Sequence, residues 1–337
     1  MKITDIEYRT VLVPFVPAIQ EHWGLDYPTT FVWVRTDEGI TGLGESSAFH
    51  SNVADQAEEN ADRYVGKRLW DLDIGEEPFP FQCAFYDIAG QALGVPIFRL
   101  LGPQCRERVE LAYWSPPMPP ETTAAEAERA ARAGFKVHKL KARSATIVET
   151  AELITKACGP DFKIRVDPNT QFGDLATSVR LARQLLPYNI EVYEDPMPFD
   201  DLSWYRQFRA KAEPPVARHL GSSREVFLNM HAEAVDAVNC GGSPANIRRN
   251  AALAAAGGLP VWLQMCAFGT CVATTFVAHV ASTIPNCTMA LDELPHIRID
   301  DLSGGSMQLA DGMITVPRAP GLGVALDMCA VEKYQVC

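Results

Sequence analysis

The chain lacks a long hydrophobic run. None of its 337 residues belongs to an apolar stretch near the roughly 18 residues that a membrane span needs, so no membrane association is expected. Residues 1–10 have no apolar signal core, which points to a cytoplasmic protein. Positive charge is also short: 30 Lys and Arg stand against 42 Asp and Glu, a net charge of −12. No basic face is then available to displace counterions from a phosphate backbone, which argues against nucleic acid as a partner. An anionic small molecule would need its own local cluster of cations. Paired cysteine motifs are missing as well. The nine cysteines form no CxxC, and their odd number fits free thiols in a reducing compartment better than a disulfide framework. Asn286-Cys287-Thr288 has the form of a glycosylation acceptor, which means nothing without export.

What is present is ordinary globular composition, 47% hydrophobic and 21% charged, with a length that suits one large or two unequal domains. Residues 31–34 (FVWV) read as a strand, 37–39 (DEG) as a turn and 40–45 as the returning strand of a hairpin. A helix over 81–93 ends at Gly94, and Pro96, Gly102 and Pro103 then punctuate the chain, so the first domain is placed at 1–108. From there strands and helices alternate. Strands are expected at 109–113, 137–141, 164–167, 190–194, 216–219, 237–239, 261–264 and 289–293, with ends roughly 20–30 residues apart. A helix at 244–256 carries Ser243 as its cap, proline in its first turn and Gly257 at its end. Eight such units argue for an α/β protein with a (β/α)8 TIM-like barrel. The competing open, doubly wound sheet would carry a Gly-rich phosphate loop after its first strand. Gly42-Leu43-Gly44 is only a fragment of one and lies in the hairpin.

Active sites of such barrels lie at the carboxyl ends of the strands. Those ends read Lys139 and Lys141, Asp167 with Asn169, Glu194, His219, Asn239, Gln264 and Glu293. In Val137-His138-Lys139-Leu140-Lys141 the two-residue period puts both lysines on one face and Leu140 on the other. Two adjacent buried ammoniums would depress each other's pKa and suit one of them to act as a base; the plainer reading is a pair of surface lysines. Asp167 and Glu194 end successive strands and could share one hard cation, or could cap the turns that follow.

These residues carry a resemblance. KLK (139–141), VDPN (166–169) and YEDP (193–196), with DEGITGLGES (37–46), FYDIAGQALGVPIFRLLG (85–102) and DGMITVPRAPGLGVALD (311–327), resemble the enolase superfamily in its mandelate racemase and muconate lactonizing enzyme branch. The resemblance implies an α+β capping domain built from the N-terminal segment and a C-terminal segment, 313–337, that returns to it around a barrel at 109–312. It also implies metal-assisted removal of the proton next to a substrate carboxylate through an enediolate. Carried over, Lys141 would be the base, Lys139 would tune it and help hold the carboxylate, and Asp167 and Glu194 would bind Mg²⁺, with Mn²⁺ or another divalent metal as the alternative. Glu293 would lie near the substrate, with Asn169, Asn239 and Gln264 around it. The loops carrying His22, Trp23 and His50 would close over the mouth. A homo-oligomer is expected.

Two departures stand out. The strand-five position of the family's third acidic ligand reads Val216-Ala217-Arg218-His219, which leaves His219 as the only donor there; Arg218 has outward parity. The strand-six position of a second base is Gly241, and strand seven has no histidine. A single base favours β-elimination of water from a hydroxy acid or sugar acid, ahead of racemisation, epimerisation or cycloisomerisation. A diverged binding protein is the non-enzyme alternative.

Overall fold

A computed structural model describes residues 1–24, 27–46, 53–266 and 268–336. Strands β1 (Ile3–Val11), β2 (Thr29–Thr36) and β3 (Thr41–Ser46) form an antiparallel sheet in that order. The helix Phe79–Leu93 begins with proline in its first turn, where the missing N–H costs nothing, and stops at Gly94 in the left-handed conformation. It lies directly on β3. A Cβ at Gly44 would collide with the Pro80 carbonyl, so only glycine permits this approach. Asp87 of the same helix is buried and accepts from the Leu43 and Leu322 N–H groups at 2.9 and 2.7 Å, joining sheet, helix and C-terminal segment.

β4 (Arg108–Glu110) precedes a parallel run: β5 (Tyr113–Ser115), β6 (Val137–Lys141), β7 (Lys163–Asp167), β8 (Ile190–Glu194), β9 (Val216–Leu220), β10 (Ala237–Gly241) and β11 (Val261–Gln264). β5 to β11 neighbour one another in sequence order, with helices between them. The hairpin β12 (Leu309–Ala310) and β13 (Met313–Thr315) pairs with β4. The tail helix Met328–Tyr334 leads back to β1, where the Leu12 N–H donates to the Tyr334 carbonyl at 2.8 Å and Val336 to that of Thr10 at 2.9 Å.

Six barrel strands stand where the sequence places them, within a residue or two. The first and eighth differ. The expected strand 109–113 divides, because β13 takes the backbone pairing of 108–110 and the chain turns into the barrel only at Tyr113. The expected strand 289–293 forms no regular ladder; it closes the barrel through isolated bridges, Val261 to Cys287 and Leu111 to Leu291. The Leu291 N–H donates to the Glu110 carbonyl at 2.8 Å and the Asp292 N–H to that of Leu263 at 3.1 Å. Pro295, which has no N–H, opens a short 3-10 turn and ends this extended stretch.

Glu45, near the end of β3, fastens the N-terminal sheet to the barrel. Its buried carboxylate accepts from the N–H groups of Thr270 and Ala273, which open the helix Cys271–Ser282. Burial raises its pKa, and the two N–H donors oppose that rise. Glu45→Ala would leave both donors buried and unpaired. It is expected to lower stability by about 2–3 kcal/mol in urea unfolding, with Glu45→Gln costing less because one acceptor remains.

Candidate active site

The alternation read from β6 holds. Leu140 packs into the hydrophobic core, and both lysines turn into the barrel mouth. Lys139 Nζ lies 2.6 Å from Asp292 Oδ2, 2.8 Å from Glu194 Oε2 and 3.3 Å from Asp167 Oδ2. Lys139 donates a hydrogen bond to Asp292 and stands within ion-pair distance of Glu194 and Asp167. Lys141 Nζ lies 2.5 Å from the same Asp167 oxygen. The Lys139 side chain is only 2% exposed, whereas that of Lys141 is 18% exposed. Of the two, Lys141 is therefore the lysine open to an incoming molecule.

The mutual depression expected of two adjacent ammoniums is not what the site shows at Lys139. Burial alone would push its pKa down, but Asp292, Glu194 and Asp167 outweigh burial and hold it above the ordinary lysine value. Burial would raise Asp167, yet Lys141 and Lys139 bring it down to about 2.

Asp292 is the residue that sequence reasoning missed. It accepts from Lys139, from Arg165 at 3.0 Å, from Trp262 Nε1 at 2.8 Å and from Asn239 at 3.3 Å. The Arg165 guanidinium lies 4.2 Å from the centroid of the Trp262 ring, over its face. The Asp-Glu pair at 292–293 was visible in the sequence, but without ladder pairing its parity was not, and the inward member is the aspartate. Glu293 is held differently: its Oε1 accepts from the Met265 and Cys266 N–H groups at 2.9 and 3.2 Å, and it is not among the residues lining the cavity described below. Burial pushes its pKa up to about 8, against those two N–H donors.

Asn239 is buried and donates to Glu194 at 2.9 Å and to Gln264 at 3.0 Å, so it braces the carboxylates. Arg218 points outward, as its parity indicates: it donates to Asn229 at 3.0 Å and stacks on Phe199 and Tyr205.

A cavity of about 300 Å³ opens on Lys139, Lys141, Asn169 and Gln264. Trp23, Trp114 and Phe268 form its apolar wall. Trp23 ends the helix Pro17–Trp23 and meets Trp114 edge-on, with ring centroids 5.4 Å apart. His22 is half-buried and is not among the lining residues; His50 lies outside the described residues. A second cavity, of about 370 Å³ between Phe79 and Ser243, brings no cluster of charges together.

His219 takes a different place from the one expected. Its imidazole leans toward β10, where a Cβ at Gly241 would lie 2.5 Å from His219 Nε2. His219 is an exposed residue of β9; partial desolvation of its ring, with the Lys139 ammonium nearby, lowers its pKa. The imidazole occupies the space above Gly241.

The sequence profile described as Enolase C-terminal domain-like matches residues 122–330. The chain belongs to this family. It is an enzyme of the enolase superfamily, in the mandelate racemase and muconate lactonizing enzyme branch. It is 28% identical over 274 residues to the N-succinyl-L-Arg/Lys racemase of Bacillus cereus, covering 72% of this chain and 74% of that one. It is 26% identical over 362 residues to the L-Ala-D/L-Glu epimerase of Bacillus subtilis, covering 96% and 97%. An isomerase of Streptomyces coelicolor superposes with a TM-score of 0.82 at 26% identity, covering 99% of this chain and 98% of that one. Other relatives are a D-gluconate dehydratase and chloromuconate cycloisomerases.

Members of the superfamily generally use Mg²⁺. The residues present here do not fit such an ion. Among the described residues, no three His, Cys, Asp or Glu side chains converge as a metal-holding group. The expected trio of Asp167, Glu194 and His219 does not form, because Lys139 Nζ stands against both carboxylates and the imidazole leans toward Gly241.

The raised pKa of Glu293 gives a pH test. The unfolded chain loses this proton near 4.5 and the folded one near 8. Between those values the folded state holds the extra proton, so stability falls as pH rises and levels off above 8. Glu293→Gln keeps an acceptor for the two N–H groups and removes the titration. Relative to wild type it is expected to gain on the order of a few kcal/mol between pH 5 and pH 8 in urea unfolding. Equal pH slopes for the two proteins would mean that Glu293 is ionised when folded.

Proposed function

We propose that this enzyme removes the α-proton of a small hydroxy acid with Lys141 and then expels the β-hydroxyl as water. The observation that carries this reading is the place of Lys141: its side chain is 18% exposed on the wall of the cavity, where that of Lys139 is 2% exposed, so an incoming α-carbon meets Lys141. Asp167, 2.5 Å from its Nζ, fixes where that nitrogen points. The α C–H bond breaks, its proton goes to Lys141 Nζ, and the electron pair moves onto the carboxylate as an enediolate. Lys139 lines the same cavity and supplies positive charge to that oxygen pair. The pair then returns to form the carbon–carbon double bond, the β C–O bond breaks, and Lys141 gives the same proton to the departing hydroxyl.

Lys141 can complete this cycle from one face, which suits a site whose β10 position is Gly241. The wall of Trp23, Trp114 and Phe268 offers few partners for hydroxyl groups. It favours a substrate with an apolar group beyond the reacting carbons over a heavily hydroxylated sugar acid. A second reading, epimerisation, is favoured by one observation: the neutral imidazole of His219 above Gly241.

In D₂O, elimination is expected to consume substrate and release an unsaturated acid or its keto form. Epimerisation would return deuterated substrate of inverted configuration. Lys141→Ala is expected to lower α-proton exchange by at least about 10³-fold while leaving the melting temperature nearly unchanged. Exchange at the wild-type rate in that variant would remove Lys141 from the mechanism.

A further inference from the structure

Three observations in the barrel mouth concern the same few ångströms. The carboxylate oxygens of Asp167, Glu194 and Asp292 surround Lys139 Nζ at 3.3, 2.8 and 2.6 Å. A Mg²⁺ ion sits about 2.0–2.1 Å from its oxygen ligands, so an ion bound by the same Asp167 and Glu194 oxygens would stand against the ammonium. The local charge also opposes it. The Lys139 ammonium already sits among the oxygens of Asp167, Glu194 and Asp292, and Arg165 is held between Asp292 and Glu191, so an added dication would be repelled at close range by an ammonium that those oxygens already hold. Finally, β9 presents an imidazole at its mouth where a third carboxylate would be needed, and that imidazole is turned toward Gly241.

We propose that the Lys139 ammonium is the resident cation of this site and that the protein works without a bound divalent metal. Lys139 then has two tasks. It neutralises three inward carboxylates that would otherwise repel one another, and it presents the charge that draws a substrate carboxylate to Lys141. Its fixed seat means that the positive charge is part of the fold and is not lost to a chelator. The second task rests on the proposed role of Lys141; the metal-free site does not.

The test reads metal on the protein itself. Wild-type protein, stripped with EDTA, is titrated with Mg²⁺ and with Mn²⁺ by calorimetry, and its melting temperature is followed in EDTA and in millimolar metal. The expected result is no saturable binding heat and the same melting temperature in all three conditions. Saturable binding of either ion, or a melting temperature that climbs and levels off with metal, overturns the proposal. Lys139→Met removes the ammonium and leaves the carboxylates facing one another. That variant is expected to melt lower in EDTA and to gain a saturable Mn²⁺ binding heat that the wild-type protein lacks. A folded Lys139→Met that still ignores Mn²⁺ would show that the carboxylates are not a masked cation site and would count against it. If the variant does not fold, the wild-type titration decides. Absence of α-proton exchange with every acid offered would sink the role of Lys141 without touching the metal result. Exchange that survives EDTA supports both.

Discussion

A buried ammonium with three carboxylates around it sets the terms for the whole barrel mouth. Removing Lys139 from water is costly, and only close, well-directed opposite charges offset that cost. The carboxylates must in turn be held in place, and the structure does this from several strands at once. Asn239 of β10 braces Glu194, while Trp262 of β11 and Arg165 of β7 brace Asp292. Asp167 is held by the backbone, its Oδ1 accepting from the Asn169 N–H at 3.0 Å, while its Oδ2 is shared between Lys139 and Lys141. It is the point at which a rigid charge cluster passes into the one lysine that remains accessible.

The N-terminal sheet matters to this site through geometry. Glu45 ties it to the helix Cys271–Ser282. Arg298 donates to the carbonyls of Val13, Tyr27 and Phe268 at 2.7, 2.9 and 3.0 Å, stitching two N-terminal segments to the barrel rim. Burial lowers its pKa to about 10, so the guanidinium stays charged at neutral pH. These ties place Trp23 against Trp114 and Phe268. The apolar wall of the cavity is therefore assembled from both parts of the chain, and loosening either tie would open it.

Much of this was legible in the sequence where periodicity does the work. The two-residue alternation of β6 put Lys139 and Lys141 on one face, and the repeat of strand ends located Asp167 and Glu194. It failed where regular pairing fails. Residues 287–293 cross the barrel on isolated bridges, so parity could not say that Asp292 lines the cavity while Glu293 binds the backbone of Met265 and Cys266. The splitting of 109–113 depended on β13, some two hundred residues away in the chain, taking the pairing of β4. The metal expectation rested on residue types at matching positions. Type alone does not reveal that the first lysine of the motif would occupy the space between the carboxylates.

The two departures read from the sequence, a histidine on strand five and a glycine on strand six, are a single structural fact. β9 and β10 are neighbours, with His219 paired to Asn239 in register. From there the imidazole reaches the Gly241 position, where any Cβ would stand 2.5 Å from Nε2. With the ring in this place, no side chain fits at 241; with a base at 241, the ring would have to turn elsewhere. A carboxylate at 219 would be shorter and would add negative charge near Asp167, Glu194 and Asp292, which already crowd around Lys139. A neutral imidazole adds none. The loss of an acidic group on β9, the bare position on β10 and the ammonium among the carboxylates are thus mutually consistent, and each makes the others possible.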